Sequence, residues 1–246
     1  MKSIEDMQVV ILAGGLGTRL RPYTETIPKP MMDICGKPFL EYQLNHIRNS
    51  GIKKVLLCVG YLGEQIENYF GDGKNFGLDI TYSYERKQLG TAGALKNAEL
   101  MIETNPFIVM NGDTYSDFKF KKLKDNYPFR NPIMTMVITP ATNPKEQELV
   151  ELEGDNVSNF YQRGTIEHEK YLKRNKNPMI NSGIYAFNSE ILIMIPEEKI
   201  CSLEKEIFPQ IMGEIRGIVH NGYIKDIGKI KFCKEFEQDI IEGKIK

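Results

Sequence analysis

Residues that hold metals or staple small folds are scarce: 246 residues contain four cysteines and three histidines. Cys35, Cys58, Cys201 and Cys233 are far apart, and none belongs to a CxxC pair. Neither a zinc site nor a disulfide framework is expected, and the thiols read as reduced and buried. A dominant charge is lacking as well. With 32 basic against 33 acidic side chains the net charge is -1, which removes the electrostatic basis for holding duplex nucleic acid or an anionic membrane. Any phosphate recognition must then come from local geometry. Long apolar runs are missing too. No segment approaches the ~20 residues of a membrane span. The run Val9-Val10-Ile11-Leu12-Ala13, preceded by Glu5 and Asp6, is too short for the apolar stretch of a signal peptide. The chain reads as cytoplasmic.

What is present is a hydrophobic fraction of 41%, enough for one sizeable core, arranged as alternating strand-like and helix-like segments. Residues 8–13 are nearly continuously apolar and end in glycines, the pattern of a strand covered on both faces. Residues 39–49 carry Leu40, Leu44 and Ile47 at helical spacing, and Gly51 is a fitting stop. Residues 54–59 and 79–84 read as strands. Residues 63–70 and 91–103 read as helices, the latter with Leu95, Ala98 and Ile102 on one face. Residues 106–110 form a further strand, followed at once by Asn111-Gly112-Asp113. This βαβαβ order predicts an α/β fold, a parallel sheet with helices on both faces. Ligands of such sheets sit at the carboxyl ends of the strands. The second half is more mixed. Residues 149–153 and 157–162 flank Gly154-Asp155-Asn156, a β-hairpin signal. Residues 164–178 are charged and read as an exposed excursion, 180–187 as a strand containing a glycine, and 229–241 as a final helix with Gly243 as its stop. No repeat or low-complexity segment divides the chain, so residues 1–246 read as a single domain.

The strongest chemical signal is Leu12-Ala13-Gly14-Gly15-Leu16-Gly17-Thr18-Arg19-Leu20-Arg21-Pro22. A strand runs straight into a glycine-rich loop that carries two arginines. Without Cβ atoms in the way, successive N–H groups can converge on an anion, and arginine adds a fork of donors suited to phosphate. For the loop taken alone, a plain glycine turn with solvent-facing arginines is about as good a reading. Two familiar loops are excluded. No Gly-Lys-Ser/Thr ending makes this a Walker A loop, and Leu20 occupies the last glycine position of GxGxxG, which disfavours a dinucleotide-dependent oxidoreductase. Shortly after comes Pro28-Lys29-Pro30-Met31, where prolines fix the backbone around one lysine and so position a cation. An exposed lysine in a proline turn is the plainer alternative.

In combination these residues resemble the signature of sugar-1-phosphate nucleotidyltransferases. The run from Ile11 to Met31 is followed, in family order, by Gly36-Lys37-Pro38, Leu89-Gly90-Thr91-Ala92-Gly93, Asn111-Gly112-Asp113, Asn181-Ser182-Gly183-Ile184-Tyr185 and Asp226-Ile227-Gly228. Asn111-Gly112-Asp113-Thr114-Tyr115 and Ser202-Leu203-Glu204-Lys205 look most like D-glycero-D-manno-heptose 1-phosphate guanylyltransferases, with mannose-1-phosphate guanylyltransferases next. The resemblance implies a Rossmann-like mixed, mainly parallel sheet of the nucleotide-diphospho-sugar transferase type, helices on both faces, and a small β-hairpin region for the sugar. Residues 1–140 would mainly bind the nucleotide, 141–228 mainly the sugar phosphate, and 229–246 would be a C-terminal helix.

The implied reaction joins a sugar 1-phosphate to a nucleoside triphosphate and releases pyrophosphate. Leu12, Ala13, Gly14, Gly15, Gly17 and Thr18 would hold the nucleotide, with Gly90 and Thr91 facing it. Arg19 would hold the triphosphate tail and Lys29 the phosphates at the reacting centre. Asp113, joined by Asp226 from the far end of the chain, would bind Mg2+. Asn111, Gln162, Arg163 and Asn181 would meet the sugar phosphate. Arg19, Lys29, Asp113 and Asp226 form the implied catalytic set, and their charges suit a reaction in which one anion approaches another.

Two stretches depart from the family pattern. Phe160-Tyr161-Gln162-Arg163 stands where the family carries Glu-Lys, and Gln147-Glu148 stands where it carries Tyr-Gly. Both fall where the sugar should lie and bear on which sugar is used. Glu85 aligns with a glutamine of thymidylyl and uridylyl relatives. A carboxylate can accept both N1–H and N2–H of guanine and repels O4 of uracil, which favours GTP. A solvent-facing Glu85 paired with Arg86 or Lys87 is the competing reading. Two other functions stay open: thymidylyl or cytidylyl transfer to another phosphorylated small molecule, and a non-catalytic sensor of nucleotide-sugars. Retention of all four catalytic positions argues against the sensor. The expected partners are the two small-molecule substrates, with no nucleic acid and no membrane. A homo-oligomer is compatible with the sequence.

Overall fold

Val9, Val10 and Ile11 are completely buried, so the apolar run near the N-terminus has no face left for water. In the computed structural model, which describes residues 3–125 and 133–245, this run is the centre of a sheet. The elements in chain order are β1 (Gln8–Leu12), β2 (Asp33–Ile34), β3 (Lys37–Pro38), α1 (Phe39–Asn49), β4 (Lys54–Val59), α2 (Gly63–Phe70), β5 (Asp79–Tyr84) and α3 (Gly90–Asn97). There follow β6 (Phe107–Asn111), β7 (Thr114–Ser116), α4 (Lys121–Asp125), β8 (Met134–Pro140), β9 (Leu149–Glu153), β10 (Asn156–Tyr161) and α5 (Ile166–Arg174). The chain ends with β11 (Met179–Phe187), α6 (Ile191–Met194), β12 (Ile215–Val219), β13 (Ile224–Asp226) and α7 (Ile230–Ile241).

Nine strands form one sheet in the order β5-β4-β1-β6-β11-β8-β12-β10-β9. The first four are parallel, as the βαβαβ pattern requires. Beyond β6 the sheet is mixed: β11 runs antiparallel to both β6 and β8, and β12 is parallel to β8. Parallel pairing is therefore the rule in the first half rather than throughout. The hairpin expected at 149–162 forms as β9 and β10, and it extends the edge of the main sheet through β12.

Side-chain alternation along β1 explains the two-sided burial. Val9 and Ile11 meet Leu40, Leu44 and Ile47 of α1 and Ile66 and Phe70 of α2. Val10 points the other way, toward Ala92 and Leu95 of α3 and Ile191 of α6. Each such side chain contributes about 1.5–3 kcal/mol by leaving water. A smaller core lies between α7, the start of α1 and the short β7–β13 ribbon. It gathers Leu20, Ile34, Phe39, Tyr115, Ile227 and Phe236. Among the described residues, no helix is long and apolar enough to cross a membrane.

Three expectations need correction. The helix expected at 91–103 stops at Asn97, and a separate 3-10 turn follows at Glu99–Met101. Asn97 turns its amide to Ser83 Oγ and Tyr84 O. The buried side chain of Gln8 then takes Met101 O and Glu103 N–H, tying the segment to β1 instead of to a longer helix. The stretch at 164–178 is not a simple excursion, because it contains α5. Thr165 caps this helix, accepting from His168 N–H at 3.2 Å. Glu167 and Glu169 sit in its first turn and Lys173 and Arg174 in its last, each matched to the helix dipole. His168 and Tyr171 are buried beneath it. Finally, Cys58, Cys201 and Cys233 are buried free thiols, but Cys35 is exposed. It occupies the tight turn between β2 and β3.

Thr165→Ala removes the cap of α5. It is expected to lower the free energy of unfolding by about 1 kcal/mol, read from the urea midpoint. An unchanged midpoint would mean that burial of His168 and Tyr171 alone holds the helix.

Candidate active site

Three strands end together and set the floor of a cleft. Leu12 is level with Cys58 of β4 and Asn111 of β6. From there the chain leaves β1 as the glycine-rich loop and β6 as Gly112-Asp113. Gly112 N–H donates to Leu12 O at 3.0 Å and pins the two exits side by side. Leu12, Ala13, Gly14 and Gly15 line the cleft, with Lys29, Pro30, Asn111, Gly112 and Asp113. The connection from β5 into α3 adds Glu85, Gln88, Gly90, Thr91 and Ala94.

The loop after β1 offers donors. Among the described residues, the amides of Gly14 to Thr18 donate to no acceptor within the protein. Consecutive unpaired N–H groups are the requirement for binding an anion. The first-turn amides of α3 are different, since Ala92 and Gly93 N–H both bond Cys201 O, at 3.0 and 3.2 Å. Thr24 Oγ1 donates to Gly17 O at 2.8 Å and fastens the loop to the segment that leads to Lys29.

Lys29 is the electrostatic hub. Its Nζ lies 2.6 Å from Asp113 Oδ2 and 3.8 Å from Asp226 Oδ1. The two acids are neighbours because β7 and β13 pair antiparallel, with Thr114 opposite Asp226, and because Ile227 N–H donates to Asp113 O at 2.9 Å. Gln43, buried on α1, donates its Nε2 to Asn111 O and Thr114 O, at 2.9 and 2.7 Å. It thereby clamps both sides of the turn that carries Asp113. Asp226 is half exposed at the rim. The protein mass around its carboxyl, and then the Asp113 charge, raise its pKa above the ordinary value; Lys29, the Gly228 N–H and Arg19 oppose this.

Glu85 faces the cleft rather than the surface. Leu89 N–H donates to its Oε2 at 3.0 Å. Its Oε1 lies so close to Gly14 that a Cβ there would overlap it. Residue 14 must therefore be glycine for this carboxylate to sit against the loop. Burial raises the Glu85 pKa, and the Leu89 N–H offsets part of the rise. The surface pairing with Arg86 or Lys87 does not form.

Ten of the positions expected from the sequence line the cleft: Leu12, Ala13, Gly14, Gly15, Lys29, Glu85, Gly90, Thr91, Asn111 and Asp113. Gly17, Thr18 and Arg19 continue the loop beyond it, and Asp226 joins through Lys29. Asn181 stands behind Asn111. Its Nδ2 donates to Tyr185 Oη at 2.6 Å, its Oδ1 accepts from Gly183 N–H at 2.8 Å, and Gly183 packs on the Asn111 side chain. Asn111 Oδ1 is itself buried with no partner among the described residues. Gln162 and Arg163 are not part of the wall. Gln162 O accepts from Thr165 Oγ1, and Arg163 Nη1 reaches Glu146 O at 3.4 Å. Sequence reasoning missed Gln88, three residues past Glu85 on the same loop. It also missed the role of Glu204, which accepts from Thr91 Oγ1 at 2.9 Å while Thr91 Oγ1 accepts from Leu203 N–H at 2.8 Å. The Ser202–Lys205 motif was the available signal.

Comparison with known proteins agrees with this geometry. The family profile described as nucleotidyl transferase matches residues 8–242. Mannose-1-phosphate guanylyltransferase catalytic subunit beta from Xenopus tropicalis is 35% identical over 232 residues, 92% of this chain and 62% of the relative. Mannose-1-phosphate guanyltransferase from Saccharomyces cerevisiae is 34% identical over the same length, with the same shares. The chain thus spans 62% of the length of these curated relatives. Among solved structures, HddC from Yersinia pseudotuberculosis complexed with GMP-PN superposes with a TM-score of 0.79 at 30% identity, covering 94% of this chain and 99% of HddC. The strand-end cleft, with its glycine-rich loop, a mostly shielded lysine and two acids, is carried on this sheet. The chain is a member of the nucleotidyl transferase family.

The raised pKa of Asp226 has a thermodynamic sign. A carboxylate raised in the folded state costs stability above that pKa, and the cost disappears below its unfolded value. In EDTA near neutral pH, Asp226→Asn is therefore expected to melt higher than wild type while turnover with metal restored falls. A melting temperature at or below that of wild type would mean that Lys29 compensates the carboxylate fully.

Proposed function

We propose that the protein transfers GMP from GTP to a hexose or heptose 1-phosphate, giving a GDP-sugar and pyrophosphate. The observation that carries this reading is the convergence of the unpaired Gly14–Thr18 amides, Lys29 and the Asp113–Asp226 pair at the exits of β1 and β6. The names of the relatives support the guanylyl and sugar 1-phosphate parts: two are mannose-1-phosphate guanylyltransferases, and HddC was crystallised with GMP-PN.

The loop amides and Arg19 hold the triphosphate tail. Lys29 neutralises the repulsion as a sugar-phosphate oxygen attacks the α-phosphorus in line. A P–O bond to the sugar phosphate forms as the bond to the β-phosphate oxygen breaks, and the electron pair leaves with pyrophosphate. The nucleophile is already an anion, so no protein base is required. Asp113 and Asp226 offer hard oxygen donors, and Mg2+ is commonly held by one or two carboxylates together with substrate phosphates. The pair fits that ion, and among the described residues no third His, Cys, Asp or Glu completes a cage. The chemistry such an ion supplies is neutralisation at the α-phosphate and on the departing pyrophosphate. Asn111 Oδ1, buried and without a partner, is an acceptor for a sugar hydroxyl, with Asn181 supporting it from behind. Arg163 and Gln162 serve the sugar phosphate from the hairpin side once Arg163 leaves Glu146.

Pyrophosphate release across a matrix of nucleoside triphosphates and sugar 1-phosphates tests the whole reading. Preference for dTTP or CTP, or no release with any pair, overturns it.

Glu85 must be ionised to accept from guanine. Because burial raises its pKa, the KM for GTP is expected to rise on acidification before an ordinary carboxylate would protonate. Glu85→Gln should flatten that profile and lower kcat/KM for GTP on the order of ten- to a hundredfold, while relaxing discrimination against dTTP. An unchanged GTP/dTTP ratio would remove Glu85 from base recognition.

Arg163→Ala is expected to raise the KM for the sugar 1-phosphate roughly tenfold and to leave that for GTP nearly constant. Equal effects on both substrates would place Arg163 elsewhere.

A further inference from the structure

Asp113 and Asp226 leave the same end of the β7–β13 ribbon, and the ribbon is short. Thr114 faces Asp226, Tyr115 faces Lys225 and Ser116 faces Ile224; Asp117 N–H then bonds Tyr223 O at 3.1 Å. Two strands of this length hold poorly by themselves. Asp113 is fixed to the main sheet from its own side, by β6 and by Gln43. Asp226 comes into place through the ribbon, whose outer face is tied to α7 by Tyr223 Oη on Asp239 and by Lys225 Nζ on Glu235, at 2.7 and 2.9 Å.

At the near end Ile227 N–H donates to Asp113 O at 2.9 Å; the second tie back to the sheet lies at the opposite end. His220 N–H donates to Ile138 O at 2.8 Å, continuing the β8–β12 ladder. Its ring leaves that ladder, and Nε2 lies 2.8 Å from Asp117 Oδ1. One residue thus joins the sheet through its backbone and the ribbon through its side chain. The ring is 8% exposed and stands edge-on to Phe118 at 5.4 Å. Gly222 closes the turn so tightly that a Cβ would overlap both the imidazole and the Asp117 carboxylate. The nearby His46 is occupied elsewhere, bonding Phe118 O at 2.8 Å.

We infer that the His220–Asp117 contact sets the spacing of the Asp113 and Asp226 carboxylates, making His220 and Asp117 positioning residues for the metal site. Asp117 lies four residues along the strand from Asp113, about 13 Å. A ribbon released at that end can tilt and carry Asp226 away from Asp113. The inference rests on the reading of those two acids as the metal pair.

The test uses Mn2+ as the probe, with binding followed by electron paramagnetic resonance on the full chain, alongside Mg2+ activation of pyrophosphate release and thermal melting. His220→Phe keeps the ring volume without a donor; Asp117→Ala removes the half-exposed acceptor with little loss of packing. Each is expected to weaken Mn2+ binding and to raise the half-activating Mg2+ concentration roughly tenfold, the lower end of the effect of outer-shell partners. The KM for GTP at saturating metal should stay constant. His220→Gln, whose Nε2 can reach the same place, is expected to restore most of the affinity. Unchanged Mn2+ affinity in His220→Phe and Asp117→Ala, with or without a lower melting temperature, overturns the inference. Failure of Gln to rescue also overturns it, because the ring and not the hydrogen bond would then matter. A wild type that binds no Mn2+ overturns instead the assignment of the acids as a metal pair.

Discussion

One ammonium group holds the centre of this molecule together. Lys29 Nζ lies between two carboxylates drawn from positions 113 and 226, and without it two like charges would face each other in a partly desolvated cleft. Coulomb repulsion there is far stronger than in water, so without the lysine one acid would have to protonate or the two would have to move apart. The surrounding structure delivers these groups and keeps them in place. Pro28 and Pro30 stiffen the approach of the lysine, parallel pairing brings the exits of β1 and β6 to one level, and the β7–β13 ribbon returns the far end of the chain to the start. The small core of Leu20, Tyr115, Ile227 and Phe236 sits beneath all of them. Packing and charge therefore depend on each other at this point.

The first half of the chain was legible because its signals are local. A strand buried on both faces reads as an unbroken apolar run, and the glycines after it state that the backbone must approach something closely. Helix ends were less legible, since they are decided by distant partners. Nothing within residues 91–103 announces that Gln8 will take Met101 O and Glu103 N–H. In α5 the signal was local but masked by charge. Thr165, the early glutamates and the late lysine and arginine are a capped helix written in polar residues, with His168 and Tyr171 as a narrow buried stripe. The pairing of Asp113 with Asp226 could not come from spacing at all. It follows from a ribbon of non-local hydrogen bonds, and only family resemblance suggested it.

The proposed function would couple two kinds of recognition at this site. Glu85 lies against Gly14, so the group proposed to read the base touches the loop proposed to hold the phosphates. Thr91 is fixed in turn by Glu204 and Leu203. The cleft behaves as one packed assembly rather than a row of independent contacts. The hairpin side is looser, with Arg163 resting on a backbone carbonyl at its own surface. That contrast suits the proposed function, in which the nucleotide is bound by backbone and the second substrate is met by long side chains.

The pairing of β7 with β13 joins residues 114–116 to 224–226 and has a consequence for biosynthesis. On the ribosome the anion loop, Lys29 and Asp113 are made in the first half of the chain, but their acidic partner arrives near the end. A nascent or prematurely terminated product that stops before β13 lacks the second carboxylate. The contact that completes the proposed reactive centre is one of high sequence separation, the kind whose loop-closure entropy must be met before it stabilises anything. Under the proposed function, competence comes only when residues 224–226 have paired with residues 114–116.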